Sequence, residues 1–365
     1  MRIAAIGIGG AGGRVVDALW QDNEQRSTPY VSDACAIDTD RTALENLQHL
    51  PADHRHAFGL DETNGTGTSG DRTRGGVAIE AERRNVRRNI DPLITSDVDA
   101  LVLIAGLAGG TGGGVLPHLA DALAEIYEQP LYAVSLLPPE DDEQSATNTL
   151  RTLSATESTV ETQLLFDTAS WLGSAESIQD AAEAVNRSLV ERLGALFAAG
   201  EATDAGTVGQ SVVDASEIIN TLEASTYATL GYASQDLDTT AETEDPSLLT
   251  RVSDLVGGTP ANDIDDVTVR KAVETTLRKA VRGKLTAECT RESVDKGLVV
   301  FGGPPAWLHR EAIADGRSWL ATECQSAEIR SGDVPAPNRT TLSVLVLLSG
   351  LDEVPRLETL KEMAR

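Results

Sequence analysis

Three stretches of the chain combine residue types and spacings that could do chemistry. Gly7-Ile8-Gly9-Gly10-Ala11-Gly12-Gly13 follows one apolar run and opens an amphipathic one. Glycines allow positive φ and close backbone approach, and a helix N-terminus adds free N–H groups and a positive dipole end, so such a turn can hold a phosphate. Gly7, Gly9 and Gly12 spell GxGxxG, and Asp38 closes the next apolar run; that pairing also suits a dinucleotide fold, or a turn in which glycine serves packing alone. Ala105–Gly114 carries six glycines in ten residues, again between an apolar run and a helical one. An ordinary turn would be destabilised entropically by so many, so the expectation is a ligand held by backbone amides. Two such loops at one edge of a parallel sheet could grip a polyphosphate from both sides. Neither contains GxxxxGK[ST], and the first lysine is Lys271, which excludes a P-loop. Farther on, Asp214 and Glu217 stand three residues apart. On a helix start they face the same way and could polarise a water for attack on a phosphate, although acids also simply favour helix N-termini.

The elements that must position these groups alternate short apolar runs with amphipathic stretches, the pattern of a parallel sheet covered by helices. Strands are expected at Arg2–Ile8, Asp33–Ile37, Leu101–Ala105, Leu131–Leu136 and Gln163–Phe166. Helices are expected at Arg14–Trp20, Gly75–Asn89 and Val115–Tyr127; the arginines of the second read as a solvated face. The longest helical pattern, Ala175–Ala198, suits a connector between two α/β lobes, with Gly200 as its stop. Ala233–Asp245 reads as an acidic linker, followed by a helix at Val267–Cys289 and strands at Leu298–Phe301 and Leu342–Leu348.

Composition narrows the class. The 365 residues carry 57 acids against 30 bases, a net charge of −27. That balance repels polyanions and argues against nucleic acid as a partner. With only five lysines it also points to a high-salt cytoplasm, where screening relieves self-repulsion. Cys35, Cys289 and Cys324 are odd in number and far apart, and no histidine pair has ligand spacing, so neither a disulfide framework nor a side-chain metal site is expected. No signal core or membrane-length apolar run is seen, which reads as cytoplasmic with no direct membrane insertion.

Gly106–Gly114, with Ala108-Gly109-Gly110-Thr111-Gly112 in place, closely resembles the GGGTGTG/S signature loop of the tubulin/FtsZ family, and the acidic composition is most like its haloarchaeal CetZ branch. The resemblance implies a doubly wound α/β GTPase domain over residues 1–174, a central helix and link over 175–208, a smaller α/β activation domain over 209–350 and a short C-terminal helix over 351–365. It implies GTP or GDP with Mg²⁺ as cofactors. Gly9, Gly10, Ala11, Gly12 and Gly13 would wrap the α- and β-phosphates. Gly106, Ala108, Gly109, Gly110, Thr111 and Gly112 would bind the β/γ region. Thr66, Gly67 and Thr68, in a stretch that also reads as a surface loop, would approach the γ-phosphate, with Arg74 as that loop's arginine. Asp38 would order the pocket or water on Mg²⁺.

Asp142, with Glu143 as the alternative in the acidic loop Glu140–Glu143, would reach the ribose. Thr168 stands where relatives carry Asn for guanine, Asn186 would read guanine, and Ala182 replaces an aromatic that stacks on the base. Asp214 and Glu217 match the catalytic acids, with Val212 in place of the usual Asn. In the family fold these acids lie far from their own nucleotide, so the resemblance implies head-to-tail filaments, hydrolysis completed between subunits, and a role in cell shape. Two other readings stay open: a non-hydrolysing GTP-binding regulator of related filaments, and an NAD(P)-dependent oxidoreductase resting on Gly7–Gly12 and Asp38.

Overall fold

Every residue of the first strand, β1 (Ile3–Ile8), is buried, but on alternate faces: Ala4, Ile6 and Ile8 enter one hydrophobic core while Ile3 and Ala5 enter another. A strand apolar on both faces must be covered by helices on both. The computed structural model describes residues 1–139, 142–172, 178–201, 213–237, 266–326 and 328–365. After β1 come α1 (Gly9–Gln25), β2 (Val31–Asp38), α2 (Arg41–Glu45), β3 (Arg55–Ala57), α3 (Leu60–Thr63), α4 (Arg72–Ile90) and β4 (Ala100–Gly106). The chain continues through α5 (Gly110–Ala124), β5 (Leu131–Leu137), α6 (Glu143–Thr156), β6 (Thr162–Asp167), α7 (Thr168–Trp171) and α8 (Ile178–Phe197). It then forms α9 (Ala215–Leu222), β7 (Tyr227–Asp236), α10 (Asp266–Arg282), β8 (Val294–Gly303), α11 (Arg310–Glu323), β9 (Glu328–Pro335), β10 (Thr341–Leu351) and α12 (Pro355–Met363).

Among the described residues these strands make one sheet in the order β3-β2-β1-β4-β5-β6-β7-β10-β8-β9. The first six run parallel, in a doubly wound order, as the sequence pattern predicts. β10 is antiparallel to both β7 and β8, and β9 is parallel to β8. One core lies between the sheet and α4, α5, α6, α10, α11 and α12; the other lies under α1, α8 and α9.

Besides the long helix, β6 joins the two halves by passing the sheet on to β7 through Gln163–Tyr227 and Leu164–Ala228. The expected start of the long helix at 175–177 falls outside the described residues. The expected linker begins inside a strand: Ala233 to Asp236 pair with Val344 to Thr341 of β10, and that ladder overrides their polar composition. Residues 238–245 lie outside the described residues.

Helix α5 begins at Gly110, five residues before its expected start, and it contains Pro117. Proline has no N–H, so the Gly113 carbonyl four residues back loses its intrahelical donor. The Thr152 hydroxyl of α6 lies 3.0 Å from that carbonyl and 2.8 Å from Asn148 O of its own helix, so its one proton is shared between them and partly replaces the missing bond.

Candidate functional site

Both glycine clusters lie at the C-terminal ends of β1 and β4, the neighbouring strands at which the sheet order reverses. That is the crevice where open α/β sheets bind ligands. Gly9 adopts φ +71°, and a Cβ there would stand 3.1 Å from the Gly112 nitrogen, so the two loops touch.

Most of the second cluster's glycines have a packing reason, which corrects the inference from their number alone. A Cβ on Gly110 would meet the Thr68 hydroxyl at 2.2 Å, one on Gly112 the Gly106 carbonyl at 2.3 Å, and one on Gly114 the Arg72 carbonyl at 2.3 Å. Gly12 is tighter still, at 1.9 Å from the Ile104 carbonyl. Gly109 and Gly10 are different. Their nearest neighbours would be 3.6 and 3.4 Å away, and a Cβ on Gly70 would meet nothing within 4 Å. Backbone here faces open space.

Helix capping separates the same residues. α2, α4, α6 and α9 each begin with an aspartate, Asp40, Asp71, Asp142 or Asp214, whose carboxylate accepts first-turn N–H groups. The N-cap positions of α1 and α5, Ile8 and Gly109, supply no side-chain cap, as is also true of α3, α7, α11 and α12. The first N–H groups of α1 and α5 therefore have no intrahelical or capping acceptor, and these two helices start at the crevice. Uncapped donors, positive dipole ends and a cradle that a Cβ would fill all fit an anionic phosphate chain.

Hydroxyls and an amide tie the loops around this cradle. Thr111 lies 2.7 Å from the Thr39 hydroxyl and 3.4 Å from that of Thr68, all three buried. Asn148 of α6 donates to Gly70 O at 3.1 Å and Ala108 O at 2.9 Å, fastening a third loop, residues 65–70, to the second glycine loop. The third loop is held firmly: Thr66 bridges to Asp40, Gly67 N donates to Thr39 O at 3.2 Å, and Gly65, Gly67 and Gly70 take positive φ. Arg74 is turned aside, its Nε donating to Glu62 O at 2.7 Å.

Beside the cradle, Asp38 is buried and accepts Asp40 N–H at 3.1 Å. Burial pushes its pKa up to about 6, against the backbone bonds from Asp40 and Thr39 that favour the charged form. Arg14, its cationic neighbour, has its own pKa lowered by burial, an effect that Asp38 opposes. Arg14 and Asn186 line one cleft of about 1070 Å³ between α1, α8 and the β10 end of the sheet. A Cβ on Gly10 would lie 3.4 Å from the Arg14 guanidinium, so this cleft begins where the cradle ends. Among the described residues no group of three His, Cys, Asp or Glu is placed to hold a metal.

Other expected residues serve locally. Asp142 caps α6 by accepting Ser145 N–H at 2.9 Å, and Glu143 is exposed in that helix's first turn. Glu140 and Asp141 lie outside the described residues. Thr168 opens α7, half-buried. Asp214 caps α9, accepting Glu217 N–H at 3.1 Å and the Ser216 hydroxyl at 2.5 Å, which hold its carboxyl below the usual range. Val212 and the rest of 209–212 lie outside the described residues.

Asp214 and Glu217 do not join the cradle. A Cβ on Gly200 would touch both the Met1 nitrogen, at 2.8 Å, and the Asp214 carbonyl carbon, at 3.3 Å. Met1 precedes β1 and Gly9 follows it, so the acids and the cradle lie at opposite ends of that strand, about 20 Å apart for six residues.

Sequence reasoning missed Arg14, Thr39 and Asn148. Arg14 had a signal, a cation in the opening turns of a helix expected to receive phosphate. Thr39 and Asn148 had none, since only the fold brings them to Thr111 and the loops.

A profile of the Tubulin/FtsZ family GTPase domain matches residues 2–176, and one of the tubulin-like CetZ C-terminal domain matches residues 175–365. This chain belongs to the tubulin/FtsZ family, on its CetZ branch. It is 38% identical to the tubulin-like protein CetZ5 of Haloferax volcanii, covering 100% of this chain and 91% of that one. Among solved CetZ structures it is similar to the GDP-bound monomer of CetZ1 from Haloferax volcanii, with 32% identity, TM-score 0.86, and 100% and 98% of the two chains covered. The GTPγS-bound protofilament of CetZ2 from the same organism matches with 31% identity, TM-score 0.85 and the same coverage.

Proposed function

We propose that this chain binds GTP in the cradle, hydrolyses it to GDP and phosphate in a site completed by a neighbouring subunit, and assembles head-to-tail into filaments that act in the control of cell shape. One observation carries this reading: the cradle and the Asp214/Glu217 pair lie at opposite ends of β1, too far apart to act on one phosphate within a subunit. Stacking subunits along that direction brings one chain's acids to the next chain's cradle, and a heterologous contact that does not close makes a filament. The CetZ2 relative solved as a GTPγS-bound protofilament supports the same arrangement.

In this reading the first N–H groups of α1 and α5, with Gly10 and Gly109, hold the phosphates, while Thr66, Gly67 and Thr68 face the terminal one. Arg14 and Asn186 border the space for the base, and Asp142 or Glu143 the ribose. Asp38 fits a divalent cation: it is a buried carboxylate whose ionised form needs a positive partner, next to a phosphate site. Mg²⁺ there would supply charge neutralisation of the phosphates. Asp214 and Glu217 orient the attacking water for the neighbouring subunit's nucleotide. The working division is 1–174 for nucleotide binding, 175–208 for the connecting helix, 209–350 for activation and 351–365 for the closing helix.

The test is phosphate release from GTP across a protein concentration series in high KCl, with the bound nucleotide identified by chromatography. Specific activity that rises with concentration is the expected result. Activity independent of concentration sinks the between-subunit site. The cap bonds of Asp214 favour a second reading, a GTP-binding regulator that does not hydrolyse; bound guanine nucleotide without turnover at any concentration would select it.

A further inference from the structure

Helix α9, which carries Glu217, is held from the sheet by two cations on neighbouring strands. Lys296 of β8 donates to Asn220 O at 3.3 Å and Glu223 O at 2.9 Å, occupying the carbonyl end of the helix, where a positive charge also meets the dipole. Arg330 of β9 reaches the other end. One guanidinium nitrogen lies 3.4 Å from Glu217 Oε2 and another 2.7 Å from Glu328 Oε1. The inner face of α9 is fixed by buried Ile218 and Leu222, and Ser349 of β10 donates to Thr221 O at 2.6 Å. Glu217 itself is half-exposed, and the Arg330 guanidinium is the side-chain partner its carboxylate has here.

We infer that Arg330 is a positioning residue: its planar fork, anchored by Glu328, fixes the Glu217 carboxylate on the face that α9 offers to the next subunit. This rests on the proposed role of Glu217 in hydrolysis. A free glutamate on a helix surface samples several rotamers, whereas a carboxylate held by a guanidinium keeps one, and a water to be aligned by that carboxylate needs it still. In this reading Arg330 acts through Glu217.

The experiment measures GTP turnover per polymerised subunit, with the assembly threshold taken from the same concentration series, for the parent, Arg330→Gln, Arg330→Lys, Glu217→Ala and the double variant Arg330→Gln/Glu217→Ala. Arg330→Gln should lower turnover roughly two- to five-fold, the factor that a partly exposed ion pair is worth, and leave the threshold in place. Arg330→Lys should recover part of the loss. In the Glu217→Ala background, Arg330→Gln should change nothing further, because the two act as one unit.

A slowed Glu217→Ala beside an Arg330→Gln at the parent rate overturns the positioning role and leaves the hydrolytic reading standing. An equal Arg330→Gln loss with and without Glu217 also overturns it. Parent rates in both Glu217→Ala and Arg330→Gln sink the role of Glu217 and this inference together. Thermal unfolding of each variant separates these cases from loss of fold, which is not expected at an arginine side chain 29% exposed.

Discussion

At one edge of the sheet α1 and α5 start without caps and meet through glycines; at the other, α9 starts with Asp214 as its cap and Glu217 in its first turn. The first edge offers backbone and the second offers side chains. The difference decides how each can be disabled: backbone donors survive side-chain truncation and are lost only when a Cβ intrudes, while carboxylates vanish on truncation with the backbone intact.

The sharpest break of this contrast lies among the glycines. Gly12→Ala places a Cβ 1.9 Å from a β4 carbonyl that the sheet holds fixed, so it should lose more than about 3 kcal/mol and leave little folded protein by circular dichroism. Gly109→Ala has 3.6 Å of room and should melt within about 1 kcal/mol of the parent while binding GTP more weakly in a fluorescent-nucleotide titration. If the two variants melt alike, the division into packing and ligand-facing glycines is wrong.

At the acid edge, Glu217→Ala should cut GTP turnover about a hundred-fold with nucleotide binding unchanged. Asp214→Asn keeps the cap without the charge, whereas Asp214→Ala should lose about 1 kcal/mol of stability as well. An Asp214→Asn variant that turns over GTP at the parent rate would reduce Asp214 to a cap.

Asp38 sharpens the contrast through pH. Its folded pKa, about 6, is raised above the ordinary 3.8, so folding binds its proton more tightly than the unfolded chain does. Stability from this group is therefore full below about pH 4 and falls as pH rises toward 6, by about 2–3 kcal/mol. Nucleotide-free Asp38→Asn should lack that fall in urea titrations between pH 4 and 7, and should bind GTP with Mg²⁺ more weakly than the parent. The smallest effect is expected for Thr39→Val, about 1 kcal/mol in thermal unfolding, from the lost bond to Thr111.

Much of this was legible in the residues. Short apolar runs placed β1, β2, β4, β5 and β6 to within a few residues, the expected Arg14–Trp20 fell inside the longer α1, and Gly106–Gly114 with the first glycine cluster pointed to the family. What was not legible has a physical cause in each case. Ser234-Gln235-Asp236 reads as linker by composition, yet β10 supplies the ladder that makes it strand. A glycine that clears a neighbouring carbonyl and one that clears a ligand are the same letter, so Gly110 and Gly109 could be told apart only in three dimensions. Asn148 reaches Gly70 and Ala108 across 78 and 40 residues of chain, a separation at which spacing carries no information.

The rung that Thr152 supplies to α5 has a consequence for how this chain can change. Pro117 removes one donor from inside its helix, and a hydroxyl on another helix partly replaces it, so the two positions share one fate. Losing the hydroxyl while keeping the proline strands a buried carbonyl. Once 117 carries an N–H, position 152 is released from that duty. A substitution at either site therefore changes what a substitution at the other costs.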